Sequence, residues 1–93
     1  MADDDARLKR LRFRAWRRGF READMIFGPF TDQHARAMSD EELDVLEHLL
    51  DAPDQELYAW VIGREPVPEA YLSPIMTRIQ QFVREGGGVI GDE

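Results

Sequence analysis

The sequence predicts an all-α fold: a compact single-domain bundle of about five helices, some of them short, followed by a flexible C-terminal tail. Apolar residues recur at the three- and four-residue spacing of amphipathic helices along most of the chain. No segment alternates between apolar and polar residues as a half-buried strand would, and the β-branched residues are scattered. The short connections between periodic segments favour antiparallel neighbours.

Length and composition indicate one small domain. The chain has 93 residues and no cysteine, which excludes a disulfide framework and a thiolate metal site. A chain of this size buries one hydrophobic core and leaves no room for a cleft that holds both a cofactor and a substrate. No apolar run approaches the roughly 20 residues of a membrane span, so we expect no membrane insertion. We expect an ordered core over about 6–85 and a flexible tail over 86–93.

The first two predicted helices cover residues 6–18 and about 20–37. Gly19 separates them, because glycine is a common helix C-terminal residue. The pair Gly28-Pro29 lies inside the second segment and predicts a kink or a break there. On the first helix the apolar side consists of Leu8, Leu11, Ala15 and Trp16.

A capping box predicts the start of the third helix, with Ser39 as N-cap and Glu42 three residues later. Residues 51–54 form a turn that is expected to cap a short fourth helix, which ends at Gly63. The buried side of the third helix is predicted to consist of Leu43, Leu46, Leu49 and Leu50.

The fifth helix has the strongest apolar periodicity in the chain. It begins either near Pro68 or at the pair Ser73-Pro74, which has the residue types of an N-cap and a first helical position. It ends at the triple glycine of residues 86–88. Its apolar sector comprises Leu72, Ile75, Met76, Ile79, Phe82 and Val83.

Charge is distributed unevenly. The net charge is −7, but residues 1–22 carry +4 and residues 23–93 carry −11. The basic side of the first helix has three interpretations: it docks on acidic parts of the same chain, it meets an anionic protein partner, or it binds nucleic acid. The acidic overall charge argues against nucleic acid, so we expect none as a partner. This basic stripe consists of Arg7, Arg10, Arg14, Arg17 and Arg21.

No set of residues predicts an active site. His34 and His48 could act as acids or bases, but no Ser or Cys nucleophile stands at a recognisable turn beside them. The acids around residue 40 are typical of a helix N-terminus rather than of a metal site. Trp16 and Trp60 lie on apolar helix faces and are expected in the core. We therefore predict no catalytic and no metal-ligating residues.

The segment Arg17–Glu22 joins the basic stripe to the second helix and stands out chemically. Gly19 has no Cβ, so the backbone of another chain can approach it closely. The planar guanidinium of Arg18 suits bidentate binding of a partner carboxylate. Glu22, at the start of a helix, could orient Arg18. The alternative is an ordinary Arg–Glu surface pair, worth a few tenths of a kcal/mol.

Arg18, Gly19 and Glu22 form an Arg-Gly-x-x-Glu motif, and with it the sequence resembles the small succinate dehydrogenase assembly factors, also called flavinators. The likeness covers about residues 7–84. It includes the later run LDVLEHLLDAPDQELYAWVIG, with its Leu-rich helix, Asp/Pro turn and Tyr-x-Trp. Around the motif, the matching positions are Trp16, Asp24, Gly28 and Phe30.

The resemblance implies a binding protein that acts on a larger client. Family members bind the flavoprotein subunit of succinate dehydrogenase, and in some bacteria that of fumarate reductase, and promote covalent attachment of FAD to a client histidine. The reacting atoms belong to the client and its FAD, so we expect this chain to bind no cofactor stably and not to be an enzyme. Positioning those atoms would suffice. The acidic N-terminus is similar to that of a bacterial, cytoplasmic member, which we expect to be a monomer when free.

The resemblance places the partner-binding residues at the motif, which we expect to be exposed in the free protein and to dock near the dicarboxylate site of the flavoprotein. Two alternatives remain at this point: a regulatory module, antitoxin-like or nucleic-acid-binding through the stripe from Arg7 to Arg21, and an enzyme of unrecognised type. The expected partner-binding residues are Arg18, Gly19 and Glu22, helped by Arg17, Arg14 and Arg21.

If the motif docks in this way, Gly19→Arg should abolish client binding. Because the residue is expected at the surface, helicity and melting temperature should stay nearly unchanged. Flavinylation assays and thermal denaturation of the variant test both parts, and unimpaired flavinylation would contradict the docking assignment.

Overall fold

The computed structural model describes residues 2–86, and within that range the chain is helical and contains no strand. The all-α prediction is confirmed. The predicted flexible tail, from residue 87 onward, lies outside the described residues. None of the helices in the described range is long and apolar enough to cross a membrane. The elements are α1 (Ala2–Ala15), α2 (Arg21–His34), α3 (Asp40–Leu50), α4 (Asp54–Val61) and α5 (Pro74–Arg84), with short 3₁₀ turns at Ala35–Ala37 and Glu69–Tyr71.

The end of the first helix and the continuity of the second helix both differ from the prediction. α1 ends at Ala15, three residues early, and the chain then turns through residues 16–20 before α2 begins. The predicted feature at Gly28-Pro29 is a kink or a break; α2 runs through Pro29 as one helix, so the break is wrong. Proline removes one helical hydrogen bond donor. Burial of Phe27 and Phe30 on either side of it holds the helix together, because packing overrides local propensity.

Serine N-caps fix the starts of α3 and α5. The Glu42 backbone N–H donates to Ser39 Oγ (3.1 Å), and the Ser39 N–H donates to Glu42 Oε1 (2.9 Å), so the predicted capping box is confirmed. At α5, the Met76 N–H donates to Ser73 Oγ (3.0 Å) and Pro74 is the first helical residue. Of the two predicted starts of this helix, the one at Ser73-Pro74 is therefore confirmed.

α4 is short and begins differently from the expectation. Pro53 occupies the N-cap position, and no side chain caps the helix. Within the turn of residues 51–54 that was expected to cap the helix, the Asp54 carboxylate instead binds Arg18. At the other end the Gly63 N–H donates to the Trp60 carbonyl (3.3 Å), so the chain leaves the helix where the sequence predicts.

The core lies where the five helices meet. α5 packs on α2, α3 and α4, while α1 packs on α2 and α3. The rings of Phe30 and Phe82 meet edge to face, with centroids 5.5 Å apart, an arrangement that aromatic pairs favour. Trp60 is buried as predicted. All four leucines predicted for the inner side of α3 are buried, and the largest fully buried side chains elsewhere include Phe27, Leu57, Ile75 and Ile79.

A close contact between Trp16 and Gly28 sets the distance between the end of α1 and the middle of α2. The half-buried indole lies directly on the helix backbone: a Cβ at Gly28 would come within 2.3 Å of ring atoms Cδ2 and Cε2. The indole N–H also donates to Asp32 Oδ2 (3.1 Å). The absence of a side chain at Gly28 therefore permits the packing that positions the following turn.

Gly28→Ala should destabilise the protein, although alanine is favoured over glycine in a helix interior by about 1 kcal/mol. The new methyl group must displace the Trp16 ring, and overpacking of this kind costs roughly 1–3 kcal/mol. Urea denaturation measures the change in the free energy of unfolding. In a Trp16→Ala background the same substitution should be neutral or stabilising, and an equal loss in both backgrounds would contradict this account.

Candidate functional site

The turn between α1 and α2 packs against the connection between α3 and α4, and Arg18 joins the two. Its side chain is only 6% exposed. Nη1 donates to the Leu50 carbonyl (2.5 Å), and Nη2 donates to the Ala52 carbonyl (2.9 Å) and lies 2.8 Å from Asp54 Oδ1. The expectation that Arg18 faces solvent is therefore wrong. Its ion-pair partner is Asp54 rather than Glu22.

Arg18 is a buried cation held by backbone oxygens and one carboxylate. Burial lowers the pKa of Arg18, and the Asp54 charge opposes that shift; an arginine in a protein nevertheless stays protonated. Leu50 is the last residue of α3, and the carbonyls at a helix C-terminus lack helical partners and attract cations. Arg18 thus satisfies the end of one helix while fixing its position relative to the start of the next.

Gly19 lies exposed at the tip of this turn in a left-handed conformation, with φ +109°. A Cβ at this position would come within 2.8 Å of Asp54 Oδ2, the same carboxylate that pairs with Arg18. On the other side, the Arg18 N–H donates to Asp24 Oδ1 (2.6 Å). Two carboxylates therefore hold the turn, and any residue other than glycine would be both strained and crowded there.

The rest of the motif faces solvent. Glu22, in the first turn of α2, is exposed and has no hydrogen bond or ion pair with the described part of the chain. Arg17 and Arg21 are exposed as well. An open depression beside Gly19 is lined by Trp16, Arg17, Gly19, Phe20, Arg21 and Asp24. The predicted site is thus divided: Arg18 points inward, whereas Gly19, Glu22, Arg17 and Arg21 remain available to a partner.

The basic stripe on α1 is divided in the same way. Arg14 forms an ion pair with Asp51, and Arg7 binds Asp44 and Glu47, the latter with 3.0 Å between Nε and Oε2. The hydrogen bonds to Asp44 and Glu47 raise the pKa of Arg7. For these residues the first interpretation, docking on acidic parts of the same chain, is confirmed. Arg14 is accordingly less available to a partner than the motif residues near it.

Both histidines pack against aromatic rings of the same chain. The His34 ring lies against Phe30 and Phe82, at centroid distances of 4.8 and 5.9 Å, and burial lowers the pKa of His34. His48 stacks on Tyr71 (4.8 Å), with Nε2 3.3 Å from the Ala70 carbonyl. Among the described residues there is no group of three or more His, Asp or Glu side chains that could hold a metal ion.

Sequence reasoning missed the roles of Asp54 and Asp24. Asp54 has the local pattern of a capping residue, and nothing nearby in the sequence indicates a partner 36 positions earlier. Asp24 lies two residues after Glu22 and matches the family resemblance, which was the one available signal. Neither carboxylate was assigned to Arg18, because Glu22 has the ordinary helical spacing for that pair.

Comparison with known proteins places this geometry in context. The sequence family described as "Flavinator of succinate dehydrogenase" matches residues 9–83. The "FAD assembly factor SdhE" of Acetobacter pasteurianus is 41% identical over 91 residues, covering 94% of this chain and 84% of the relative. The protein of the same name from Shewanella oneidensis is 36% identical over 66 residues, 71% of this chain and 80% of the relative.

A longer relative also matches. The "Succinate dehydrogenase assembly factor 2, mitochondrial" of Candida glabrata is 35% identical over 82 residues, covering 84% of this chain but 54% of the relative. These matches confirm the resemblance found in the sequence, and the matched range 9–83 includes the turn at Gly19 and its supporting residues.

The geometry at Gly19 revises the expectation for Gly19→Arg. An L-residue in a left-handed conformation costs about 1–2 kcal/mol, and the new Cβ would crowd the Asp54 carboxylate. A loss of that size lowers the melting temperature of a domain this small by roughly 4–16 °C. The variant should therefore lose stability as well as any partner, and it cannot test docking by itself.

Arg18→Met should lower the free energy of unfolding by about 2–4 kcal/mol, because two buried carbonyls and the Asp54 carboxylate lose their partner. Arg17→Met is the matched control: the same change one residue earlier, at an exposed side chain, should stay within about 0.5 kcal/mol. Urea denaturation of both variants measures the difference. Equal losses would show that Arg18 does not hold the turn.

Proposed function

The chain belongs to the family of flavinators of succinate dehydrogenase, which are assembly factors and not enzymes, and from that premise we propose that it binds the flavoprotein subunit of succinate dehydrogenase and promotes the covalent attachment of FAD to that subunit. The observation that carries the proposal is the exposed turn at Gly19, fixed from inside by Arg18. We propose the corresponding subunit of fumarate reductase as a second client.

The Gly19 turn suits close contact with another backbone. Its peptide carries no side chain, and it is exposed next to the open depression that Trp16 and Phe20 help to line. Because Asp24 and Asp54 already hold the turn, little conformational entropy is lost when a partner binds, which favours affinity.

Glu22 provides the polar contact in this proposal. Its carboxylate is exposed in the first turn of α2, where the helix dipole favours a negative charge. It is free to accept hydrogen bonds from client donors, while Arg17 and Arg21 on either side of Gly19 can meet client carboxylates. Arg18 contributes indirectly, by presenting this surface rather than by contacting the client.

Promotion of flavinylation requires binding energy but no catalytic group from this chain. The bond forms between a client side chain and FAD, so the cofactor belongs to the client and this chain holds none. Binding the client conformation that aligns the reacting atoms raises the population of that conformation by the difference in affinity. Alignment of this kind contributes up to about 7–11 kcal/mol in favourable cases.

The proposal includes a bacterial cytoplasmic location and a monomeric free state. The relatives from Acetobacter and Shewanella support the bacterial assignment, since one of them aligns over 94% of the chain. The regulatory alternative, nucleic-acid binding through the basic stripe, is not favoured. Two of its five arginines, Arg7 and Arg14, are engaged by carboxylates of the same chain, namely Asp44, Glu47 and Asp51.

Glu22→Lys should weaken binding to the purified succinate dehydrogenase flavoprotein subunit by roughly thirtyfold or more, the effect of reversing a charge at an interface hot spot. Covalent flavin, detected by fluorescence of the denatured subunit, should accumulate correspondingly more slowly. Glu22 is exposed and unpaired within the described range, so the expected loss of stability is limited to its interaction with the helix dipole, about 0.3–1 kcal/mol.

Glu41→Lys is the matched control. Glu41 is exposed in the first turn of α3, at the opposite end of that helix from Leu50 and its bond to Arg18. The substitution Glu41→Lys makes the same change in charge as Glu22→Lys, and both residues are second in their helices. Equal affinity of the two variants for the flavoprotein would contradict the site, and failure of the unsubstituted chain to bind would contradict the function.

A further inference from the structure

The solvent side of α1 carries an exposed aromatic ring. Phe13 is 61% exposed and points away from the core, which α1 contacts through Leu11 and Ala15 on its opposite side. Phe13 and Leu72 are the two large apolar side chains that are exposed in the described part of the chain. A single exposed apolar side chain is common on a protein surface, so Phe13 is informative only through its neighbours.

The cations of α1 and the turn after it fall into two groups. Arg7, Arg12, Arg14 and Arg18 each bind a carboxylate of this chain. The remaining cations have no ion pair with the described part of the chain. Three of these cations lie near Phe13: Lys9 and Arg10 precede it by about one turn on the outer face of α1, and Arg17 follows in the turn after the helix.

Arg17 connects this face to the Gly19 turn. Its guanidinium lies over the Phe13 ring, 4.5 Å from the centroid, in a cation–π contact that orders both side chains. The same arginine lines the open depression beside Gly19. Because Arg17 contacts the ring and also lines the depression, it joins the Phe13 side of α1 to the Gly19 turn.

We propose that Lys9, Arg10, Phe13 and Arg17, together called the Phe13 surface, form a second docking surface, for a protein surface that offers an apolar recess bordered by carboxylates. The proposal rests on the proposed function, because we assign this recess to the same flavoprotein client. The client bound at Gly19 and Glu22 would extend along α1 and bury the Phe13 ring.

Charge complementarity and continuity identify the occupant. The Phe13 surface carries three positive charges, whereas residues 23–93 of the chain carry a net charge of −11. This local positive charge favours a partner whose surface is negative. An aromatic ring among cations requires an apolar recess in that partner, since a purely polar acidic surface would leave the ring unburied. Continuity with the turn through Arg17 favours one client at both places over two separate partners.

Phe13→Ser tests the apolar part, with Leu72→Ser as a control of equal exposure at 61%. Phe13→Ser should weaken binding to the purified succinate dehydrogenase flavoprotein subunit by roughly tenfold or more, the loss typical of a buried aromatic anchor. Leu72→Ser should leave the affinity unchanged. Phe13→Leu, which retains apolar contact, should recover most of the loss, and all three variants should keep their melting temperatures.

Arg10→Gln tests the electrostatic part. The affinity of the unsubstituted chain should fall with rising salt concentration, and this variant should show a smaller dependence on salt. Phe13→Ser should bind more weakly at every salt concentration with the slope retained. A flavoprotein affinity of Phe13→Ser equal to that of the unsubstituted chain would overturn the inference.

Further outcomes separate this inference from the proposed function. If Glu22→Lys loses binding while Phe13→Ser does not, the function stands and the Phe13 surface is not part of the interface. If Phe13→Ser changes only self-association in sedimentation, or only binding to vesicles rich in anionic lipid, the occupant is a second copy or a membrane and the inference is overturned. If the unsubstituted chain does not bind the flavoprotein, both fail.

Discussion

The buried guanidinium of Arg18 is the interaction on which the arrangement of this molecule depends. It links the turn after α1 to the end of α3 and the start of α4 through two carbonyls and one carboxylate. Burying a cation is costly unless it is paired and hydrogen-bonded. Here Nη1 and Nη2 have partners, while Nε is buried without one. Gly19, the next residue, is exposed and has a positive φ, a conformation that favours glycine. The exposed tip at Gly19 thus lies directly beside the buried Arg18 that anchors the turn.

The same division between inner and outer charges organises the whole first third of the chain. Arg7 and Arg14 hold α1 against α3 and the residue after it, while Arg17 and Arg21 stay at the surface beside Gly19 and Glu22. The inner pairs make the scaffold, and the outer groups make a surface with a rigid backbone at its centre. Such a surface suits an assembly factor, since positioning a larger protein requires a preformed contact more than a reactive group.

Much of the fold could be predicted because its determinants are local. Apolar periodicity locates the helices, and the caps at Ser39 and Ser73 involve residues three positions apart. The break expected at Pro29 failed because burial of Phe27 and Phe30 depends on contacts between helices. The direction of Arg18 was not predictable for the same reason: its partners are backbone oxygens 32 and 34 residues away, and carbonyls leave no trace in a sequence pattern. The motif pointed to the candidate site residues, but only the structure divides them into a buried Arg18 and exposed neighbours.

Hydrogen–deuterium exchange on the free chain and on its complex with the succinate dehydrogenase flavoprotein subunit tests whether Arg18 holds the Gly19 turn in place for the client. The Arg18 amide, bonded to Asp24, should already be protected in the free chain. Added protection in the complex should be concentrated at residues 17–22 and absent from the exposed first turn of α3. Protection confined to another face, or rapid exchange at Arg18 in the free chain, would rule out this role of the turn.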